Sequence, residues 1–136
     1  YGEQLADELG AYDDNPVGQL GYLQSIAFRA CRMVVDTGLH SKGWTREQAV
    51  RFFMEKNGNK REEVVNEVDR YCSWPGQACG YKMGHNQINR QRARAIAELG
   101  QAYDLRDFDQ AVVNGGNVPL DVLEGNITAY IAATKA

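Results

Sequence analysis

The stretch PVGQLGYLQSIAFRACRMVVDTG, residues 16–38, decides the fold class. It opens on a proline, which suits the first turn of a helix, and it ends on a glycine, which commonly follows the last turn. Between them, apolar side chains recur every three or four residues, at Leu20, Leu23, Ala27, Ala30/Cys31 and Val34. This spacing predicts one long helix that buries its apolar stripe and ends at about Gly38.

The rest of the chain contains similar signals for helix starts and ends. Thr45 and Gln48 have the form of a capping box, and Asn57-Gly58 and Gly100 each favour a helix end. No stretch of alternating apolar and polar residues is bounded by turn residues, so no strand is predicted. We therefore expect an all-α fold in a single domain, 1–136, with about seven helices: 1–10, 16–38, 46–56, 60–73, 76–99, one after Asp104, and one from Pro119 to the C-terminus.

Composition and charge argue against two classes of partner, nucleic acids and membranes. The chain has 136 residues, 43% of them hydrophobic, and a net charge of −3. Lysine and arginine do not gather into a stripe, so nucleic acid is not an expected partner. No apolar run approaches the roughly 20 residues that span a bilayer, so no membrane partner is expected either. The chain opens on Tyr1-Gly2-Glu3 inside a helical pattern, and we expect it to be a piece of a longer protein.

The cysteines and histidines do not form a recognisable metal or disulfide pattern. Cys31, Cys72 and Cys79 are odd in number and lack C-x-x-C spacing, which argues against a disulfide framework and a structural zinc site. Cys72 and Cys79 could pair only if the chain folds back at Pro75. The two histidines are 45 residues apart in sequence, and no H-E-x-x-H is present. We expect no metal ligands in this chain, and no catalysis by the chain alone.

The most unusual segment is WPGQACGYKMGHNQ, residues 74–87. Its glycines recur every four residues, at 76, 80 and 84, although glycine costs about 1 kcal/mol relative to alanine inside a helix. A ridge without side chains is predicted to let another backbone approach closely. Beside it, Gln77, Tyr81 and His85 share a spacing of four. They form either a polar stripe in a cleft or an ordinary helix face with His85 on the surface.

Several segments together resemble one bacterial family, catalogued as domain of unknown function 885. They are EQLADELGAY (3–12), RMVVDTGLHSKGWTREQA (32–49), EVDRYCSWPGQA (67–78), YKMG (81–84) and VPLDVLE (118–124). The resemblance runs in order along nearly the whole chain and implies the C-terminal part of a larger, all-helical zinc-peptidase-like fold. It also implies that the zinc ligands lie upstream of Tyr1. The family's usual Phe-His-Asp is Phe108-Asp109-Gln110 here, so any role of that histidine does not carry over.

The resemblance suggests roles for three residues. In helical zinc peptidases, hydrogen-bond donors face the oxyanion of the tetrahedral intermediate. His40 and Tyr81 match the family's D-T-G-L-H and P-G-Q-A-x-x-Y motifs and are the candidate catalytic residues. Asp36 could orient the ring of His40, or it could simply pair with Arg32 four residues earlier. The alternative for His40 itself is that it belongs to a polar cap just past the helix end.

Three further residues could bind the C-terminal carboxylate or the backbone of a peptide substrate: Arg32, Gln77 and Arg70. Arg70 could equally be a solvated surface residue. The leading hypothesis is thus a zinc-dependent peptidase-like protein whose missing N-terminal part is a partner of this chain, with self-association also possible. The alternative is a helical binding module without catalysis. Many family members look exported, which makes a periplasmic or secreted location possible, although the sequence itself leaves the location open.

Overall fold

The computed structural model describes residues 1–136 and contains no strand. Seven α-helices follow one another, as the sequence predicts, with a 3₁₀ turn at Gln77–Cys79 before the fifth and another at Gly100–Ala102 after it. None of the helices has the length and hydropathy needed to cross a membrane. The helices are α1 (Gly2–Glu8), α2 (Pro16–Ser41), α3 (Arg46–Asn57), α4 (Arg61–Ser73), α5 (Gly80–Leu99), α6 (Leu105–Asn114) and α7 (Leu120–Lys135).

The chain divides into two compact units, Tyr1–Met83 and Gly84–Ala136, where the sequence predicts a single domain. In the first unit, α2 packs against α3 and α4. Its core is formed by Cys31, Val35, Ala49, Val50, Phe53, Val64, Val68, Tyr71 and Ala78. In the second unit, α6 packs against α7. The buried apolar residues there are Ala95, Leu99, Phe108, Leu123, Ile127 and Ile131.

The predicted helix boundaries hold at most positions. Thr45 and Gln48 form the capping box at the start of α3, and Gly58 ends that helix with φ +72°. Asp104 caps α6 by accepting hydrogen bonds from the backbone amides of Arg106 and Asp107. Each of these boundaries follows from local backbone hydrogen bonding, which explains why the sequence predicts them well.

The predicted end of α2 at Gly38 is wrong, because the helix continues to Ser41. Gly38 is buried inside the helix, and a Cβ atom at this position would come within 2.6 Å of the Trp44 ring. The glycine therefore makes room for an indole rather than ending the helix. As a result, His40 lies in the last turn of α2 and not just past its end.

The predicted burial of the α2 stripe is also wrong for most of its members. Leu20 and Leu23 are 66% and 54% exposed, and Val34 is 41% exposed. The buried residues of α2 are instead Cys31, Arg32, Val35, Asp36 and Gly38, all in the second half of the helix. The apolar spacing identifies a helix correctly, but which face becomes buried depends on where α3 and α4 pack.

The glycine ridge does not lie on one helix. Gly76 has φ +83° and precedes the 3₁₀ turn that contains Gln77, whereas α5 begins only at Gly80. A Cβ atom at Gly80 or Gly84 would meet nothing within 4 Å, so no backbone of this chain approaches them closely. The polar stripe is likewise not a single helix face. His85 is buried rather than on the surface.

Candidate functional site

The centre of the candidate site is a buried arginine on α2. Arg32 is only 8% exposed and makes no salt bridge, and its Nε has no hydrogen-bond partner. Its guanidinium carbon lies 4.6 Å from the centroid of the Tyr81 ring and 5.7 Å from that of Tyr71. Aromatic faces attract a cation, but buried charges are usually paired with an opposite charge. Arg32 is therefore a buried cation without a direct anionic partner.

Gln77 joins Arg32 to a second arginine. Arg32 Nη2 donates to Gln77 Oε1 over 3.2 Å, and Arg70 Nη1 donates to the same oxygen over 3.0 Å. The two guanidinium groups, from α2 and α4, thus share one neutral acceptor from the 3₁₀ turn. The structure brings together all three residues predicted to bind substrate, and it adds Tyr81 beside them. We call Arg32, Arg70, Gln77 and Tyr81 the arginine site.

Two residues of α4 that are not predicted from the sequence, Glu67 and Tyr71, support this site. Arg70 donates to both carboxylate oxygens of Glu67, at 3.3 and 2.7 Å, and the Tyr71 hydroxyl donates to Glu67 Oε2 over 2.8 Å. Arg70 is therefore ion-paired and half-buried rather than a solvated surface residue. The sequence does contain a signal for this group. Arg70 and Tyr71 follow Glu67 by three and four residues, and residues with this spacing are neighbours on a helix.

The contacts of Glu67 shift two pKa values. Burial alone would raise the pKa of Glu67, but hydrogen bonds from Arg70 and Tyr71 outweigh it and hold that pKa below its ordinary value. The pKa of Tyr71 is raised, first by burial and then by its hydrogen bond to Glu67. Glu67 is therefore an anion and Tyr71 a neutral phenol near neutral pH, which suits the hydrogen bond between them.

Asp36 has a different partner from either of the two predicted for it. Its carboxylate accepts hydrogen bonds from the backbone amide of Gly76, at 3.1 and 3.0 Å, and it also contacts the thiol of Cys79. Its hydrogen bonds thus go neither to the His40 ring nor to Arg32, which corrects both alternatives. The buried Asp36 fixes the turn that carries Gln77, and so positions the acceptor of the arginine site.

His40 contacts the backbone of α4. Its Nε2 lies 3.0 Å from the carbonyl oxygen of Tyr71. A carbonyl oxygen can only accept, so this nitrogen carries the hydrogen and donates it. In a neutral ring the remaining nitrogen, Nδ1, is then an acceptor. His40 could thus donate to an oxyanion in this arrangement only as an imidazolium.

Tyr81 is the accessible member of the arginine site. It is 51% exposed, and its hydroxyl makes no hydrogen bond within the chain, while its ring lies against Arg32. The stacking holds the ring in place and leaves the hydroxyl available to a ligand. Trp74, three residues before Gln77, is 60% exposed.

Comparison with known proteins gives the family. Residues 1–127 match the family described as bacterial protein of unknown function (DUF885). The chain belongs to this family. A solved structure from Colwellia psychrerythraea, described as "the putative lipoprotein", is 48% identical to the chain, with a TM-score of 0.94. The match covers 96% of this chain but 22% of the Colwellia one, so the chain spans under a quarter of its relative's length. No curated protein matches the chain.

The zinc that the resemblance to peptidases implies has no ligand set within this chain. No three His, Cys, Asp or Glu side chains are grouped so that they could hold a metal ion. His40 donates to a backbone carbonyl, and Asp36 accepts from a backbone amide. The residues present do not fit a zinc centre, whereas they do fit an anion.

Proposed function

We propose that this DUF885 chain is the C-terminal helical part of a zinc-dependent, peptidase-like hydrolase, and that it binds the C-terminal carboxylate of a peptide at the arginine site. One observation carries the proposal: Arg32 is buried and has no carboxylate partner. Arg70 is paired with Glu67 and the buried Asp36 binds the Gly76 amide, so the positive charge of Arg32 is left without an ion-pair partner. A carboxylate would neutralise that charge, and a planar guanidinium matches its geometry.

Tyr81 is the residue we propose for the chemistry. Its free hydroxyl, beside the arginines, could donate a hydrogen bond to charge that develops on a carbonyl oxygen during hydrolysis. His40 supports the site through the carbonyl of Tyr71, which ties the end of α2 to α4. The zinc has no ligands in this chain, so the proposed role is confined to binding the peptide and to this one hydrogen bond. Zinc ligands would come from the N-terminal part of the longer protein.

A second candidate is a carboxylate-binding module without catalysis. It is favoured by the position of the arginine site, because all four of its members lie within the unit Tyr1–Met83. For either function we propose a periplasmic or secreted location. The likeness to a chain described as a lipoprotein supports such a location.

The test uses the full-length protein and two peptides that differ only in a free or an amidated C-terminus. We expect Arg32→Gln to raise KM for the free acid about tenfold or more, because a hydrogen bond to a charged group contributes about 1.5–3 kcal/mol. The amidated peptide should already bind weakly and change little. Arg46→Gln is the matched control, since Arg46 forms an exposed ion pair with Asp69 on the surface. Tyr81→Phe should lower kcat about 10²–10³-fold with little change in KM.

The outcomes separate the candidates. If Arg32→Gln weakens both peptides equally, Arg32 is structural and the carboxylate site is wrong. If the full-length protein cleaves no peptide but binds the free acid more tightly than the amide in calorimetry, the binding module is correct. Full turnover by Tyr81→Phe would contradict the role of its hydroxyl.

A further inference from the structure

The first half of α2 presents an uncovered apolar surface. Val17, Leu20 and Leu23 are 78%, 66% and 54% exposed, and no residue from Pro16 to Ala30 is buried. These three lie three residues apart, so they share one side of the helix. We call them the Leu20 face. Contiguous apolar patches on a soluble protein commonly mark an interaction surface.

The Leu20 face continues into a groove. Leu20, Leu23 and Ala27 from α2, together with Lys56 and Asn57 from the end of α3, line a space of about 380 Å³. Across this groove, Gln24 Nε2 donates to the backbone carbonyl of Asn57 over 3.3 Å, which holds the two helices together. The groove offers room for apolar side chains from a partner, beside a rim that can form hydrogen bonds.

Apart from Lys56 in the groove, the charged residues that precede the Leu20 face in sequence are all acidic. The first 28 residues contain five carboxylates and no lysine or arginine; the carboxylates are Glu3, Asp7, Glu8, Asp13 and Asp14. The first basic residue, Arg29, is an ion-pair partner of Glu3. The pKa of Tyr22, on the same half-helix, is raised first by burial and then by the nearby Asp7, Glu8 and Glu3. A partner for this surface should therefore combine apolar anchors with basic residues.

The length of the Colwellia relative indicates what covers the Leu20 face. The match covers only 22% of that chain, so more than three quarters of a closely similar polypeptide lies outside the part described here. We infer that the Leu20 face is an intramolecular docking surface for a basic, amphipathic helix from the remainder of the longer polypeptide. This inference does not depend on any peptidase activity, because it rests on exposure and charge in α1 and α2.

The test introduces the same double substitution into the full-length protein and into the 136-residue chain. Leu20→Glu/Leu23→Glu should lower the Tm of the full-length protein by at least about 3 °C, because it buries two carboxylates against apolar side chains. In the 136-residue chain alone the same variant should change the Tm little, since both side chains already face solvent. Equal effects in the two proteins, or none in either, would overturn the inference.

A second measurement does not depend on the variant folding. Hydroxyl-radical footprinting of the wild-type proteins should show Leu20 and Leu23 protected in the full-length protein and reactive in the 136-residue chain. Protection should not depend on protein concentration. Protection that rises with concentration, together with a dimer in sedimentation, would assign the surface to a second copy and contradict the intramolecular contact. Equal reactivity in both lengths would also contradict it.

Discussion

At the scale of single residues, close contacts decide what the sequence pattern leaves open. Gly38 looks like a helix stop, yet its missing side chain is what lets the Trp44 ring lie against α2. Arg32 could pair with Asp36 four residues later by its spacing, yet it is buried against the rings of Tyr71 and Tyr81. Neither contact is visible in local spacing, because the partner residue comes from another part of the chain.

The role of Gly38 can be tested by adding one methyl group. Gly38→Ala should lower the free energy of unfolding by about 1–2 kcal/mol, because the new Cβ atom would overlap the Trp44 ring. Gly21→Ala is the control in the same helix. A Cβ at Gly21 meets nothing within 4 Å, so the change should stabilise the protein by about 0.5–1 kcal/mol. Urea denaturation of both variants measures the difference, and equal stabilisation by the two would show that the ring contact is not restrictive.

At the scale of elements, α4 organises the arginine site. Its residues Glu67, Arg70 and Tyr71 form a hydrogen-bonded group on one helix face, and the carbonyl of Trp74, just past its end, accepts a hydrogen bond from the backbone amide of Gln77. The sequence predicts α4 and its boundaries, and it names Arg32 and Arg70 as candidate substrate-binding residues. It could not predict that Glu67 neutralises one arginine and leaves the other without a carboxylate, because that choice depends on how α2 packs against α4.

Glu67 should make the stability of the protein sensitive to acid. Its pKa is lower in the folded state than in the unfolded chain, so its contribution is fully present above the unfolded pKa of about 4.3. The contribution is lost as pH falls through the lower, folded pKa. Glu67→Gln should therefore reduce stability at pH 7 and weaken the dependence on pH below about 5.

Urea midpoints between pH 7 and pH 3 measure this effect. Glu55→Gln is the control, since Glu55 is exposed on α3 and takes no part in the Glu67 group. It should leave the acid sensitivity close to that of the wild type. A Glu67→Gln curve that stays parallel to the wild-type curve at every pH would show that the carboxylate does not carry this contribution.

At the scale of the whole molecule, the helical architecture follows from sequence more readily than the site does. Helix starts and ends are local, and capping residues such as Thr45 and Asp104 identify them directly. Burial is not local, and Leu20 and Leu23 illustrate the limit. Their spacing correctly predicts an apolar helix face, but both side chains are more than half exposed. The division after Met83, inside α5, also gives no signal in composition.

The 136-residue chain should not bind zinc tightly by itself. No three potential ligands are grouped in either unit, and a stable zinc site needs at least three protein ligands. Purified chain, dialysed against a low zinc concentration and analysed by atomic emission, should contain well below one zinc per chain. The full-length protein is the comparison and should retain about one. A tightly bound zinc in the 136-residue chain, lost on substitution of His40 or His85, would contradict the placement of the ligands upstream.

Because the two tryptophans have different surroundings, their fluorescence should report separately on unfolding and on ligand binding. Trp44 lies against Phe52 and Gly38, so its fluorescence should change when the first unit unfolds. Trp74 is largely exposed, and its carbonyl oxygen accepts a hydrogen bond from the backbone amide of Gln77. Its emission should instead respond when a ligand reaches the two arginines. Trp74→Phe leaves a probe of folding alone, and Trp44→Phe leaves a probe of occupancy, so both processes can be followed without an added dye.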